Sequence, residues 1–335
     1  MKTTNLQEYK NPPGFDIDFD LLAEFEQDLD PQSPESNRIP CHVLGFGEIS
    51  TVFEFKAARM EGLAFKRISI FQTQAELEKY YSAYGDYNEL LEKEIGISLP
   101  GHGHAIVQNP SGLPIFYIIQ VKLPSYSIGN NAIHLLTREG VTILVDRVLI
   151  ELLKLWSFNR RQTKYQVSID GQISNWVIDG FDPDNPQLAE DISLSYLDTS
   201  TPLYLLDGVE QFDPELIIRT TPRLLAVIIR KFFLADVMTR YYDPRQVVID
   251  ILANFYKEQR ADLIPELVIS ANNFLDNGGK ELGVEPINNK EISDYYREDA
   301  MIWSFLSFAR RFDRFLYRKI LRREYPYILP GKVKR

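Results

Sequence analysis

Asp170 and Asn175, five residues apart, are the first pair in this chain whose types and spacing could do chemistry together. They lie in Val167–Ile178, which reads as an apolar strand end, a polar loop and a second short strand. A carboxylate held there can take a proton from a hydroxyl, and an amide oxygen beside it can ligate a magnesium ion. This Asp-x-x-x-x-Asn arrangement occurs in phosphotransfer loops. Both residue types also favour ordinary turns, so the pair needs support from elsewhere in the chain. Asp198 supplies some of it, ending the strand pattern Ile192–Leu197. The order strand, loop, strand, hairpin, strand would bring Asp170, Asn175 and Asp198 to one rim. Asp207 is the alternative last acid, farther from the hairpin.

Upstream, His42–Phe55 reads as strand, glycine turn, strand, with Val52/Glu54 alternating against Phe53/Phe55. Gly45 and Gly47 would let backbone N–H groups approach a phosphate closely, although a plain β-hairpin carries such glycines too. Lys66 then stands inside the apolar run Leu63–Ile68. A lysine there must snorkel or meet an anion, and an exposed edge strand is the plainer alternative. Asp86, Glu89 and Glu92 on the next helix are candidate partners. Spacing leaves the choice open: Asp86 has Leu90 one turn on, whereas Glu89 has the longer reach.

The elements that must position these groups follow from periodicity. A short helix is expected near Phe19–Phe25, and a longer one over Gln74–Gly96 with a core stripe of Tyr80, Tyr84, Tyr87, Leu91 and Ile95. Strands are expected around His104–Val107 and Ile115–Val121, the second continuously apolar as a buried central strand should be. Helices follow near Ala132–Arg138, Thr142–Phe158, Leu224–Tyr242, Arg245–Gln259, Leu263–Leu275 and Asp294–Arg323, and Gly180–Asp191 is a polar turn insertion. His102, His104 and His134 have no ligand-like spacing and are expected in loops or at the surface.

Composition narrows the function classes. A chain of 335 residues with 44% hydrophobic residues can bury about two domains or lobes. No apolar run is long enough to span a bilayer, and Met1–Lys10 has no apolar segment of a secretory signal. Cys41 is the only cysteine, which excludes an internal disulfide and a cysteine-based zinc site. A cytoplasmic location is therefore expected. The net charge of −10 argues against a nucleic-acid partner. Arg310–Arg335 carries ten basic and two acidic residues, so a basic amphipathic end could meet a membrane surface or an anionic partner; a core-packed helix with a solvated basic face is the plainer reading.

In this order and spacing the motifs resemble the protein-kinase-like superfamily over roughly residues 40–270. The resemblance is nearer to the aminoglycoside phosphotransferase and choline kinase branch than to eukaryotic protein kinases, and it extends to an uncharacterised bacterial family of that fold. It implies an α+β, two-lobed fold: an N-terminal extension (1–39), a β-rich N-lobe (40–121) and a helical C-lobe (122–335). It implies ATP and Mg2+ as cofactors and an unidentified small-molecule acceptor. Leu44–Val52, with Gly45 and Gly47, would form the glycine-rich loop over the phosphates. Lys66 would contact the α- and β-phosphates, with Glu89 or Asp86 as its helix partner. Gln120–Leu123, including Gln120 and Val121, would be the hinge whose backbone meets adenine. Asp170 would orient and deprotonate the acceptor, while Asn175 and Asp198 would hold magnesium. Three positions depart from the pattern: Ser50 replaces the third glycine, Thr199-Ser200 follows the metal acid, and Ser168 stands where a loop-organising histidine is usual. Ser168 motivates a second reading, a pseudokinase that binds nucleotide or scaffolds without turnover.

Overall fold

The computed structural model describes residues 8–47, 49–218 and 239–319. Strand β1 (Tyr9–Lys10) and helix α1 (Phe19–Gln27) come first, then β2 (Cys41–Phe46), β3 (Ser50–Phe55) and β4 (Leu63–Ile68). Helix α2 (Gln74–Glu89) runs on into a π-helical turn, Leu90–Ile95, before β5 (His102–Gln108) and β6 (Pro114–Val121). The six strands form one antiparallel sheet in the order β1-β5-β6-β4-β3-β2.

Both faces of this sheet are covered, which is why β6 is apolar without alternation. Ile115, Tyr117 and Ile119 pack on one face with Phe53, Phe55 and Phe65, beneath Leu22 and Phe25 of α1. Phe116 and Ile118 pack on the other with Ile68, beneath Leu77, Tyr80 and Tyr84 of α2. Successive strand residues point to opposite faces. Lys66 therefore shares the α2 face with Ile68, whereas Arg67 shares the α1 face with Phe65. Arg67 meets the buried Glu26 of α1 in a two-pronged ion pair (2.8 and 2.5 Å), and the Tyr117 hydroxyl donates to the same carboxylate at 2.6 Å.

The N-terminal stretch thus packs on the sheet, with β1 at its edge and α1 on one face. Its docking depends on Gly103, where an added Cβ would overlap the Lys10 carbonyl oxygen and crowd the Asn11–Pro12 backbone. Gly103→Ala is expected to cost about 1–3 kcal/mol through this overpacking. Amide exchange at residues 9–11 should speed up in the variant; unchanged exchange there would refute the close-approach argument.

The helical region opens with the short α3 (Gly129–Ala132) and the 24-residue α4 (Arg138–Arg161), capped by the Thr137 side chain on the Gly140 N–H. Short strands follow: β7 (Tyr165–Val167), β8 (Trp176–Ile178), β9 (Leu194–Tyr196), β10 (Tyr204–Leu206) and β11 (Val209–Glu210). Helices α5 (Glu215–Ile218), α6 (Pro244–Lys257), α7 (Ile264–Asp276) and α8 (Asn289–Lys319) complete the described chain. One apolar cluster joins the end of α2 to α4, α6 and α7.

The architecture is α+β, with a β-rich N-terminal region and a helical C-terminal region. Among the described residues no helix is long and apolar enough to cross a membrane. The helix expected over Leu224–Tyr242 lies mostly outside the described residues, as does the end of the basic stretch beyond Lys319. His104 corrects its surface assignment. It is 8% exposed within β5 and stacks on Phe116, and burial lowers its pKa to about 4.

Candidate functional site

The loop between β7 and β8 is built largely by its own residues. Ser168 and Ile169 are buried and anchor its entry. Asp170 Oδ1 accepts the Gln172 N–H at 3.1 Å, closing an Asx-type turn. Asn175 Nδ2 donates to the Asp170 carbonyl at 3.1 Å, and Trp176 Nε1 donates to the Gly171 carbonyl at 3.3 Å. Asn175 thus spends its nitrogen on the loop, which leaves its Oδ1 outside that bond. Gly171 sits tight on α6, where an added Cβ would lie 3.1 Å from Ile251 Cδ1.

Asp198 reaches this loop through strand pairing. Trp176 of β8 pairs with Tyr196 of β9, and the Leu197 N–H donates to the Asn175 carbonyl at 2.8 Å. Asp198, two residues beyond β9, is thereby set beside Asn175. Its Oδ1 accepts Lys66 Nζ at 2.8 Å, Ser200 Oγ at 2.6 Å and the Ser200 N–H at 3.1 Å. Burial alone would raise the Asp198 pKa, but Lys66 and the Ser200 bonds outweigh it and hold the carboxyl below its ordinary range. Side-chain exposure is 16% for Lys66 and 32% for Asp198, so solvent can still reach the pair.

Asp170 is pushed the other way, up to about 6. Burial is the main cause and the Asp198 charge adds to it, while the Gln172 N–H and the Lys257 charge oppose it. Asp170 is therefore largely ionised at neutral pH yet poised to hold a proton, the range suited to a general base.

Lys66, Asp170, Asn175 and Asp198, drawn from well-separated parts of the chain, converge between the sheet and the helical region. The glycine turn shares a strand row with Lys66. Gly45, Val52, Lys66 and Ile118 lie in one row across β2, β3, β4 and β6. Gly47 closes the turn by donating its N–H to the Ser50 carbonyl at 2.9 Å, so that donor serves the hairpin.

Three expected placements need correction. Glu89 does not pair with Lys66; it is exposed and binds Lys93 Nζ at 2.8 Å. It stands about 200° round α2 from Tyr87, because each helical residue turns about 100°. Asp86 accepts from the Tyr204 hydroxyl at 3.3 Å and Glu92 is exposed, so neither takes that place. Gln120 and Val121 are still in the sheet: Gln120 pairs with Ala64 and His102, and the Val121 N–H donates to the Gly101 carbonyl. Gln120 contributes instead through its side chain, donating to the Leu197 carbonyl at 3.0 Å beside Asp198. Asp207, the alternative acid, is exposed at the β10–β11 turn with φ of 49°.

Two groups of α6 complete the site without having been anticipated. Asp250 bonds Tyr295, and burial together with the neighbouring Asp170 charge raises its pKa to about 7. Lys257, two helical turns on, donates to Gln172 Oε1 at 3.3 Å. A lone acid in the apolar run Val247–Leu252 was the available signal for Asp250, since an acid among buried residues needs a reason.

A family model described as "Family of unknown function (DUF6206)" matches residues 35–314. No curated protein matches the chain.

Proposed function

We propose that this chain, which belongs to that family of unknown function, is a magnesium- and ATP-dependent phosphotransferase of protein-kinase-like fold acting on a small hydroxyl- or amine-bearing molecule. The observation that carries the proposal is the meeting of Lys66, Asp170, Asn175 and Asp198, with Gly45 in the same strand row as Lys66. The strand order β5-β6-β4-β3-β2, with α2 on the inner face, supports it. In this reading the N-lobe ends near Val121 and the helical lobe begins at Lys122.

Phosphoryl transfer needs positioning and charge neutralisation more than covalent chemistry. Asn175 Oδ1 and the Asp198 carboxylate are hard oxygen donors. They fit Mg2+, which takes one or two carboxylates from protein and completes its shell with water and phosphate oxygens. Bound there, the ion would neutralise charge on the transferring phosphoryl group. Asp198 would exchange Lys66 for the metal, and Lys66 would turn to a phosphate. Asp170 would orient the acceptor and take its proton. The adenine contact would fall to the residues following Lys122, since the Val121 and Lys122 N–H groups donate to the Gly101 and Gly62 carbonyls.

A pseudokinase is the second reading, and Ser168 motivates it. Turnover is supported by the bonds that hold the loop entry without an imidazole: Ser168 Oγ donates to the Tyr241 carbonyl, and the Tyr87 hydroxyl donates to the Ser168 carbonyl at 2.7 Å.

A thermal-shift titration tests the proposal. Ligand at about 100 times its Kd stabilises the folded state by about 2.7 kcal/mol. Mg2+–ATP is expected to raise the Tm of the wild type and not that of Asp198→Ala. No wild-type shift at millimolar nucleotide would sink the proposal. A shift without any ADP release would select the pseudokinase.

A further inference from the structure

Helix α2 presents no acid to Lys66, but it reaches the site in another way. Tyr80 and Tyr87 are seven residues apart, two turns of helix, so they project from one face. The Tyr80 hydroxyl donates to the Ser200 carbonyl at 2.9 Å, and the Tyr87 hydroxyl donates to the Ser168 carbonyl at 2.7 Å. Each acceptor lies two residues from a site carboxylate, Ser200 after Asp198 and Ser168 before Asp170. Both phenols are deeply buried, 3% and 0% exposed, and each is stacked on another ring, Tyr80 on Tyr84 and Tyr87 on Tyr204. Burial raises both hydroxyl pKa values well above the ordinary range, so they act as neutral donors.

We propose that Tyr80 and Tyr87 are positioning residues: one rigid helix ties the backbone beside Asp198 to the backbone beside Asp170 and so sets the spacing of metal acid and base. The inference rests on the phosphotransferase reading. Its physical content is that Asp198, whose Oδ1 accepts Lys66 in this structure, would have to release that lysine to hold a metal ion while its turn stays in place. A carbonyl hydrogen-bonded to a buried, stacked phenol fixes that turn, and the same helix fixes the loop entry one face-length away. Removing the phenol hydroxyl leaves a buried carbonyl without its donor, which costs more than the bond itself contributes.

The test compares Tyr80→Phe, Tyr87→Phe and Tyr81→Phe in the full chain. Tyr81 lies between the two on the same helix, and its hydroxyl donates to Glu8 Oε1 at 2.8 Å, away from both tethers. In ligand-free protein, amide exchange should speed up around 198–201 for Tyr80→Phe and around 167–171 for Tyr87→Phe. With ATP present, Tyr80→Phe should weaken the apparent Mg2+ affinity about five- to tenfold. Tyr87→Phe should lower kcat for ADP release by a similar factor with KM for ATP unchanged, and Tyr81→Phe should do neither. Equal effects in all three variants would reduce the tyrosines to core packing and overturn the inference. A wild type that responds to Mg2+–ATP, with variants that respond identically, overturns it while leaving the phosphotransferase reading intact. A wild type with no response to Mg2+–ATP overturns both.

Discussion

Asp170→Asn is expected to lower ADP release, with water or any acceptor, by about 10²–10⁴-fold, the contribution of a positioned general base. The amide keeps the volume and can still accept the Gln172 N–H, so Mg2+–ATP binding should persist. The wild-type rate should rise with pH as Asp170 ionises near 6 and then level off. Stability should move oppositely. The free carboxyl titrates at 3.8 and the folded one at about 6, so the folded protein holds the proton more tightly. Stabilisation from this group is full below the lower value and is lost as the pH passes through the higher. At pH 7.5 the buried, ionised Asp170 therefore works against folding, and Asp170→Asn should have a Tm at least as high as the wild type. Rates measured between pH 5 and 8 beside a melting curve check both halves. A variant within tenfold of wild-type turnover would remove Asp170 as the base.

The second large effect is on stability. Glu26→Ala leaves the Arg67 guanidinium buried and uncompensated, and it strips the Tyr117 hydroxyl of its acceptor. Burial works against the Arg67 charge, and Glu26 and Tyr117 outweigh it, holding its pKa above the ordinary range. Breaking such a buried pair costs about 3–5 kcal/mol, whereas replacing both partners by apolar groups of similar volume is often neutral. Glu26→Ala should therefore unfold at markedly lower urea than Glu26→Leu with Arg67→Met. A loss under about 1 kcal/mol in the single variant would show that water reaches the guanidinium and that α1 is not locked to the sheet by this pair. Glu26 precedes residues 35–314, so the lock on the sheet comes from outside the stretch the family model matches.

Much of the site was legible because it is local. The Asp170–Asn175 loop is closed by hydrogen bonds that span two and five residues, so residue types and spacing were enough to single it out. The apolar run of β6, the α2 stripe and the start of α1 follow from periodicity, which reports how much of an element is buried. The same periodicity placed Tyr80 and Tyr87 in the core but was silent on their hydroxyls. The partner of Lys66 was misassigned because sequence favours near neighbours. Its acid lies 132 residues away, brought in by the β8–β9 pairing, while the nearby Glu89 points to solvent.

The sequence by itself marked which residues could carry chemistry and several of the main strands and helices, such as β6, α2 and α4, and the resemblance implied a β-rich part joined to a helical part. Tertiary structure alone decided that Lys66 and Arg67 serve opposite faces under different helices, that Asp198 rather than an α2 acid answers Lys66, and that Asp250 and Lys257 stand beside the Asp170 loop. The physical reason is that periodicity states which side of an element is covered, while long-range packing chooses what covers it.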